Sequence, residues 1–559
     1  LERVAVIPFE NLTASRELDW ASEVLPRLLS SGPANQPLLI TAVGSERDLI
    51  PARSTRVLRG YLTQSGDALH AHATVYEVNG HKAVASCDAR AGSTGELATA
   101  IAQQCLGVSL ALNAPAQAIE AFGHALAVAD TDREAAIGWA EKAVAAAPRF
   151  APAVLLRAQL ERSSGDGAGT AAILQKAVAT GPAADAKSWD AAQIRVAAAS
   201  LAPDLRALIE AIKQAAALAP YNTDLIRQLS DTLMAARYSE DAAAWLARLT
   251  ELEPREVSFW NQRAYAEVHA RKFDAAKSSA ERYRNMAPAD PNAEDTSGEI
   301  AWMSGRFADA EKHFLEAQRI SPQFLGGLEF SKAAFARYLS GDLPGADSLF
   351  ARYLESRRAA QDPLVPLREA HWLELTGRDK EAAAAYQKIA AGEGELAARA
   401  GGLWAVLLVK KGEREQASSV LKQAAAKAKT PFALSAVATV AFLAQPKASP
   451  QEWSARADKS FSPQTPVRFR QILLAHALVL DRHAQAAIAV LEPLLAVTPP
   501  TEGDELKMMF GWAWATLKEK PRAVRMLQLH PLPPHPAESL LASVYFPSYR
   551  EWRKAAGLP

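Results

Sequence analysis

Few residues in this chain have the type and spacing that chemistry demands. His70 and His72 stand two apart in an alternating segment, so both fall on one face of a strand and could offer imidazole nitrogens to a metal ion. No third ligand accompanies them, and strand surface is the reading that the ligand count favours. Ser164 to Thr170 reads SGDGAGT, a loose glycine loop, yet it falls where two helical segments need a turn. His530 and His535 lie among Pro531, Pro533, Pro534 and Pro536, where exposed, polyproline-like chain is expected. No Walker-type loop, kinase catalytic triplet or Gly-x-Ser-x-Gly elbow occurs. Cys87 and Cys105 are the only cysteines, which allows one disulfide and excludes a disulfide framework or a four-cysteine zinc site. The expectation is a chain that is not an enzyme, with no catalytic residues, no metal and no cofactor.

The elements that would position any site must come from a chain of 559 residues, longer than one core supports, so several domains or a repeat array are required. Half of it is apolar with few aromatics, and the excess is alanine, which forms helices and lets them approach closely. Lys plus Arg equals Asp plus Glu at 62 each, so no overall field draws the chain to nucleic acid or an anionic membrane. Apolar runs such as Leu403 to Val409, flanked by Lys410 and Lys411, fall far short of the roughly 20 residues a membrane span needs. The chain opens at Leu1 without methionine, so a signal peptide, an anchor or an upstream domain is expected before it.

Prolines reveal a period. Pro148 and Pro182 are 34 apart, and Pro220, Pro254, Pro288 and Pro322 repeat that step, with one irregular step of 38 between the two sets. Small residues recur at the matching offsets: Gly298, Gly305, Ala310 and Ala317 around Phe314 in one unit, Ala264 and Ala276 beside Trp260 in another, Ser230 and Ala242 in a third, Ala158, Gly165 and Ala177 in a fourth, with Leu246 and Leu174 in the place of Phe314 in the last two. Beyond Pro322 the pattern continues as Gly341 with Ala346, Gly377 with Ala382 and Gly412 with Ala417, then as Ala475, Ala487, Leu491 and Pro499. Phe350, Tyr386 and Leu421 take the place of Phe314, whereas Thr430 to Pro466 is degraded. This pattern resembles the tetratricopeptide family, whose 34-residue unit is a pair of antiparallel helices. The resemblance implies about a dozen helix pairs over residues 111–530, stacked as an α-solenoid with a concave groove, and a proline-rich tail or cap over 531–559.

Residues 1–110 keep a different rhythm. Arg3 to Phe9, Leu38 to Val43, Arg56 to Gln64, Leu69 to Val78 and Lys82 to Ala89 read as strands, the last two joined by a turn at Asn79-Gly80. Glu17 to Ser30 and Glu96 to Leu106 read as helices, and Ser45 to Ile50 as a short one. The stretches VAVIPFENLT and RVLRGYLTQSGDALHAHATVYEVNG in this order resemble the TolB N-terminal-like domain, with a departure around Ala85, where an aromatic is usual. The whole is therefore expected to be mainly α, a small α/β domain followed by a tetratricopeptide-type solenoid.

The family geometry places the first helix of each pair along the groove. By that resemblance Asn261, Tyr265, His269, Asp295, Glu299, Trp302, Phe335, Tyr338, His371 and Glu374 are candidates to bind a partner, although the aromatics could equally be packed between repeats. No cluster of Lys and Arg occurs among them, so an extended neutral or mixed-charge segment is expected rather than an acidic terminus. The function so implied is a bacterial protein-interaction scaffold or sensor module binding a protein or peptide. Two other readings stand beside it: a self-assembling structural protein, and the regulatory region of a larger signalling protein with a kinase or cyclase upstream. A periplasmic or extracellular location is expected, with the cytoplasm as the alternative.

Overall fold

The computed structural model describes residues 1–13, 15–79, 82–180, 188–202, 204–461, 465–496 and 504–528. The expected tail over 531–559, His530, His535, Pro182, Pro499 and the glycine of the Asn79-Gly80 turn lie outside them. The chain divides into two compact units, Leu1–Glu256 and Val257–Pro559.

The first unit opens with β1 (Glu2–Val6), β2 (Glu10–Asn11), α1 (Asp19–Leu29), β3 (Leu38–Ala42), β4 (Arg56–Ser65), β5 (Ala68–Glu77), β6 (Ala83–Ala91) and α2 (Thr94–Leu106). The sheet runs β3-β1-β4-β5-β6, with β2 alongside β4. β1 is parallel to β3 and β4, and β4, β5 and β6 are antiparallel neighbours. Alternation explains β5: Leu69, Ala71, Ala73 and Val75 are buried in one core with α1 and α2, while the residues between them are half-exposed. Ser93 accepts a hydrogen bond from the Glu96 N–H to start α2, and Gly107, in the left-handed region, ends it. Cys87 on β6 and Cys105 on α2 are joined by a disulfide.

Among the described residues four helix pairs follow in this unit: α3 (Ala116–Val128) with α4 (Arg133–Ala146), α5 (Ala151–Ser163) with α6 (Gly167–Ala179), α7 (Trp189–Ala199) with α8 (Leu205–Leu218), and α9 (Thr223–Ala235) with α10 (Ser239–Leu252). Of SGDGAGT, Ser164, Gly165 and Asp166 connect α5 to α6 and the remaining four residues begin α6, where Asp166 accepts a hydrogen bond from the Gly169 N–H as its cap. The α/β layer packs on α3 through α1, where a Cβ on Gly123 would stand 2.3 Å from the Trp20 ring. Its other end meets residues some 250 positions away. The Leu1 amino group donates to the Leu252 carbonyl at 3.0 Å, and the buried Arg3 guanidinium reaches Thr223 and Glu253, each at 2.6 Å.

The second unit holds eight further pairs among the described residues: α11 (Val257–His269) and α12 (Phe273–Met286); α13 (Pro291–Met303) and α14 (Phe307–Ile320); α15 (Leu328–Leu339) and α16 (Leu343–Ala359); α17 (Val365–Leu375) and α18 (Asp379–Ala390). These are followed by α19 (Gly394–Lys411) and α20 (Arg414–Lys427); α21 (Pro431–Leu443) and α22 (Pro450–Ser460); α23 (Val467–Leu480) and α24 (Ala484–Ala496); α25 (Asp504–Thr516) and α26 (Lys520–Gln528). Small residues allow the close crossing in the regular pairs. A Cβ on Gly298 of α13 would lie 2.5 Å from the Phe314 ring of α14, and Phe314, Ala310 and Ala317 are wholly buried. Burying that one Phe contributes about 1.5–3 kcal/mol. The second helix of a pair stops just before its proline, α12 at Met286 before Pro288 and α14 at Ile320 before Pro322. The degraded stretch Thr430–Pro466 still forms a pair, α21 and α22, the latter started by a capping box of Ser449 and Glu452.

The fold is thus mainly α, a tetratricopeptide-type helical repeat preceded by a small α/β domain. Among the described residues, no helix is long and apolar enough to cross a membrane.

Candidate functional site

The first helices of successive pairs in the second unit carry polar side chains where packing would be served as well by apolar ones. Asn261 and Tyr265 on α11 are half-buried; the Asn261 side-chain oxygen accepts from the Thr296 hydroxyl at 3.0 Å, and the Tyr265 hydroxyl donates to Glu299 at 2.7 Å. His269, also half-buried, is the last residue of α11. Lys332 of α15 enters this group from the next pair. Its ammonium donates to Asp295 at 2.5 Å and to Glu299 at 2.9 Å, and lies 3.2 Å from Glu329. Lys332 and Glu329 are completely buried and Asp295 nearly so.

One ammonium therefore faces three carboxyl groups, those of Asp295 and Glu329 buried and that of Glu299 half-buried. Burial pushes the Glu329 carboxyl up to about 8, and the adjacent Asp295 carboxylate adds to the shift while Lys332 opposes it. Asp295 is raised by burial too, against the pull of Lys332. Lys332 loses basicity to burial, but the carboxylates around it more than restore it and hold it protonated. Burial, and then Glu299, raises the Tyr265 hydroxyl, which stays neutral and donates. At neutral pH Glu329 retains its proton.

Two pairs beyond Lys332, a second group centres on Lys410 of α19. Its ammonium lies 3.6 Å from the wholly buried Glu374 of α17, which also accepts from the Tyr386 hydroxyl at 2.8 Å. Burial raises Glu374 to about 7 despite Lys410 and Tyr386. Burial, with Lys410 adding to it, lowers His371 to about 4 and His476 of α23 to about 3, so both rings are neutral in the folded chain at physiological pH. The His476 ring meets Trp512 of α25 edge-on at 5.0 Å.

Between the groups lies a ladder of aromatic rings. Trp302 is wholly buried, 5.0 Å from Phe307 and 5.4 Å from Phe335, and Phe335 is buried as well. The half-buried Tyr338 stacks on Phe335 at 6.1 Å and meets Trp372 at 6.2 Å. The ten candidates thus separate. Asn261, Tyr265, Asp295 and Glu299 come together; His371 and Glu374 join a different group; Trp302, Phe335 and Tyr338 form the packing between pairs; His269 stands at a helix end. Glu329, Lys332, Lys410 and His476 belong to the site equally and are invisible to the repeat count. The signal that could expose them is a charged residue or His beside a run of small and apolar residues, as Lys332 is before Ala333, Ala334, Phe335 and Ala336.

Elsewhere, His72 binds Asp88 at 2.7 Å and stacks on Tyr61, on the open face of the sheet. Among the described residues no group of three or more His, Cys, Asp and Glu could hold a metal ion.

Helix pairs with alanine and glycine crossings, polar groups on their first helices and an α/β layer ahead of them define a tetratricopeptide-type repeat protein. No family model and no curated protein matches the sequence. Among solved structures the chain is similar to MamA, at 18% identity over 32% of this chain and 97% of that one, with a TM-score of 0.29. It is also similar to MamA from Desulfovibrio magneticus RS-1, at 16% identity over 32% and 97%, with a TM-score of 0.27. YrrB, a tetratricopeptide protein with an unusual peptide-binding site, is similar at 18% identity over 33% and 94%, with a TM-score of 0.28.

Proposed function

We propose that this chain is a non-enzymatic protein-interaction scaffold that holds a protein or peptide partner along the first helices of its second unit. The observation that carries the reading is the row Asn261, Tyr265, Asp295, Glu299 and Lys332. Burying so many hydrogen-bonding and charged groups costs stability that apolar residues of similar size would not. A row of oriented polar groups on three adjacent pairs is what recognition of an extended segment requires. The carboxyl groups of Asp295 and Glu299 in this row favour a segment that carries Lys or Arg beside polar residues.

The α/β domain, which resembles the TolB N-terminal-like domain, serves in this reading as a second docking element rather than a catalyst. The Cys87–Cys105 disulfide supports a periplasmic or extracellular location, since thiols in the cytoplasm are kept reduced.

A photo-crosslinking amino acid in place of His269 or Tyr338, activated in the native host, tests the scaffold. Cross-links to a separate polypeptide at both positions are expected. Cross-links confined to this chain at both would refute partner binding there.

A further inference from the structure

β3 is the edge strand of the sheet: among the described residues it pairs with β1 alone. Two hydrogen bonds set its orientation. The Glu2 N–H donates to the Pro37 carbonyl at 3.0 Å and the Val43 N–H to the Val6 carbonyl at 3.0 Å. In a parallel ladder that phase turns residues 39 and 41 towards β1 and leaves the N–H and C=O groups of Ile40 and Ala42 pointing to the open side. Such an edge is ordinarily blunted by charge, proline or a covering element. LLITA has no charge or proline, and what faces it is a cavity.

That cavity, about 280 Å³, is lined by all five residues of β3, by Ser30, Asn35 and Gln36 before it, and by Trp189, Gln193, Asn222 and Asp224 of the helical part of the same unit. Its walls are held apart at fixed points. The Trp189 indole N–H donates to the Ser31 carbonyl at 2.8 Å and the Tyr221 N–H to the Ala34 carbonyl at 3.0 Å. Arg53 pairs with Asp224 at 3.2 Å and with Glu253 at 2.8 Å. On the far wall the Gln193 amide nitrogen is buried with no hydrogen-bond partner among the described residues. Leu39 is buried and the other β3 residues half-buried, so the edge is sheltered without being paired.

We propose that this cleft binds an extended segment of a partner polypeptide as an additional strand on β3. The occupant is fixed by the chemistry of the walls. Alternate backbone donors and acceptors at Ile40 and Ala42 repeat at strand spacing, which another peptide backbone matches. The volume admits a few residues with small side chains, and the mixed lining of Asn, Gln and Thr with one cation, Arg27, and one Asp paired to arginines favours a segment without net charge. The site lies in the first unit and is independent of the polar row on α11, α13 and α15, so either can fail alone.

The test is selection of random heptapeptides displayed on phage against the full chain, followed by affinity measurement with synthetic copies. Two perturbations then act on the pairing. Ala42→Pro removes one outward N–H, which an edge strand tolerates, and leaves the ladder to β1 intact. N-methylation of the peptide at alternate residues removes its donors without touching the protein. The expected result is a binder weakened at least tenfold by Ala42→Pro and by N-methylation in one register, with the opposite register tolerated. Selection without a binder overturns the proposal, and so do binders indifferent to N-methylation in both registers.

Discussion

Glu329 bears an energetic burden that its neighbours only partly relieve, because Lys332 is already claimed by Asp295 and Glu299. Its folded pKa of about 8 stands above the ordinary 4.5, so the folded chain keeps a proton that the unfolded chain releases between those values. This group's contribution to stability is greatest below pH 4.5, falls as pH rises through that window and levels off above 8. The stabilisation of Glu329→Gln over wild type is therefore expected to grow between pH 5 and pH 8 in thermal unfolding. A difference that stays constant with pH would contradict this. Lys332→Met should destabilise by about 3 kcal/mol in urea unfolding, since it leaves buried carboxylates without their cation. Asp295 and Glu299 were legible because they stand at fixed offsets from Pro288 and Pro322. Lys332 and Glu329 were not, because a short 3-10 turn at Phe324–Gly327, with Leu325 and Gly326 left-handed, alters the phase before α15. Lys410 was read only as the flank of an apolar run, since its partners lie on α17 and α23.

At the scale of elements, the turn inside a helix pair asks for one residue with positive φ. Gly305, Gly341, Gly377 and Gly412 supply it, and these glycines made the repeat readable. Arg237, Arg271 and Arg482 hold the same left-handed backbone in their pairs, at φ of 65°, 63° and 67°. The local strain is tolerated because the helices on both sides fix the turn. Replacing any of the three with glycine is expected to stabilise by about 0.5–1 kcal/mol, the strain relieved less the added chain entropy, as read from denaturation midpoints. Gly298→Ala should cost about 1–3 kcal/mol, because its Cβ would meet the Phe314 ring and the helices would have to separate. The pair α21–α22 was hidden for the converse reason. It lacks the turn glycine, yet Trp453 is wholly buried and its indole N–H donates to Asp481 at 2.7 Å, a residue that Arg414 also holds. Contacts with neighbouring pairs replace the family pattern there.

At the scale of the molecule, the strands and helices of the α/β layer were legible one by one, whereas its closure onto α9 and α10 was not. No local pattern links Arg3 to Glu253, some 250 residues away, and the ion pairs Arg3–Glu253 and Arg53–Glu253 appear only in the fold. Glu253→Gln leaves the buried Arg3 without its closest charge partner. Faster amide hydrogen exchange in β1 and at the start of α9 is expected, with exchange in α11 to α18 unchanged. The central claim is that the first helices of the second unit hold a polypeptide partner. It is tested most directly by affinity capture in the native host, comparing the wild-type chain with an Asn261→Ala, Tyr265→Ala, His269→Ala variant of the same helical content. At least one protein enriched by the wild type and reduced tenfold or more by the variant is the predicted result; the same proteins recovered in the same amounts by both would contradict the account.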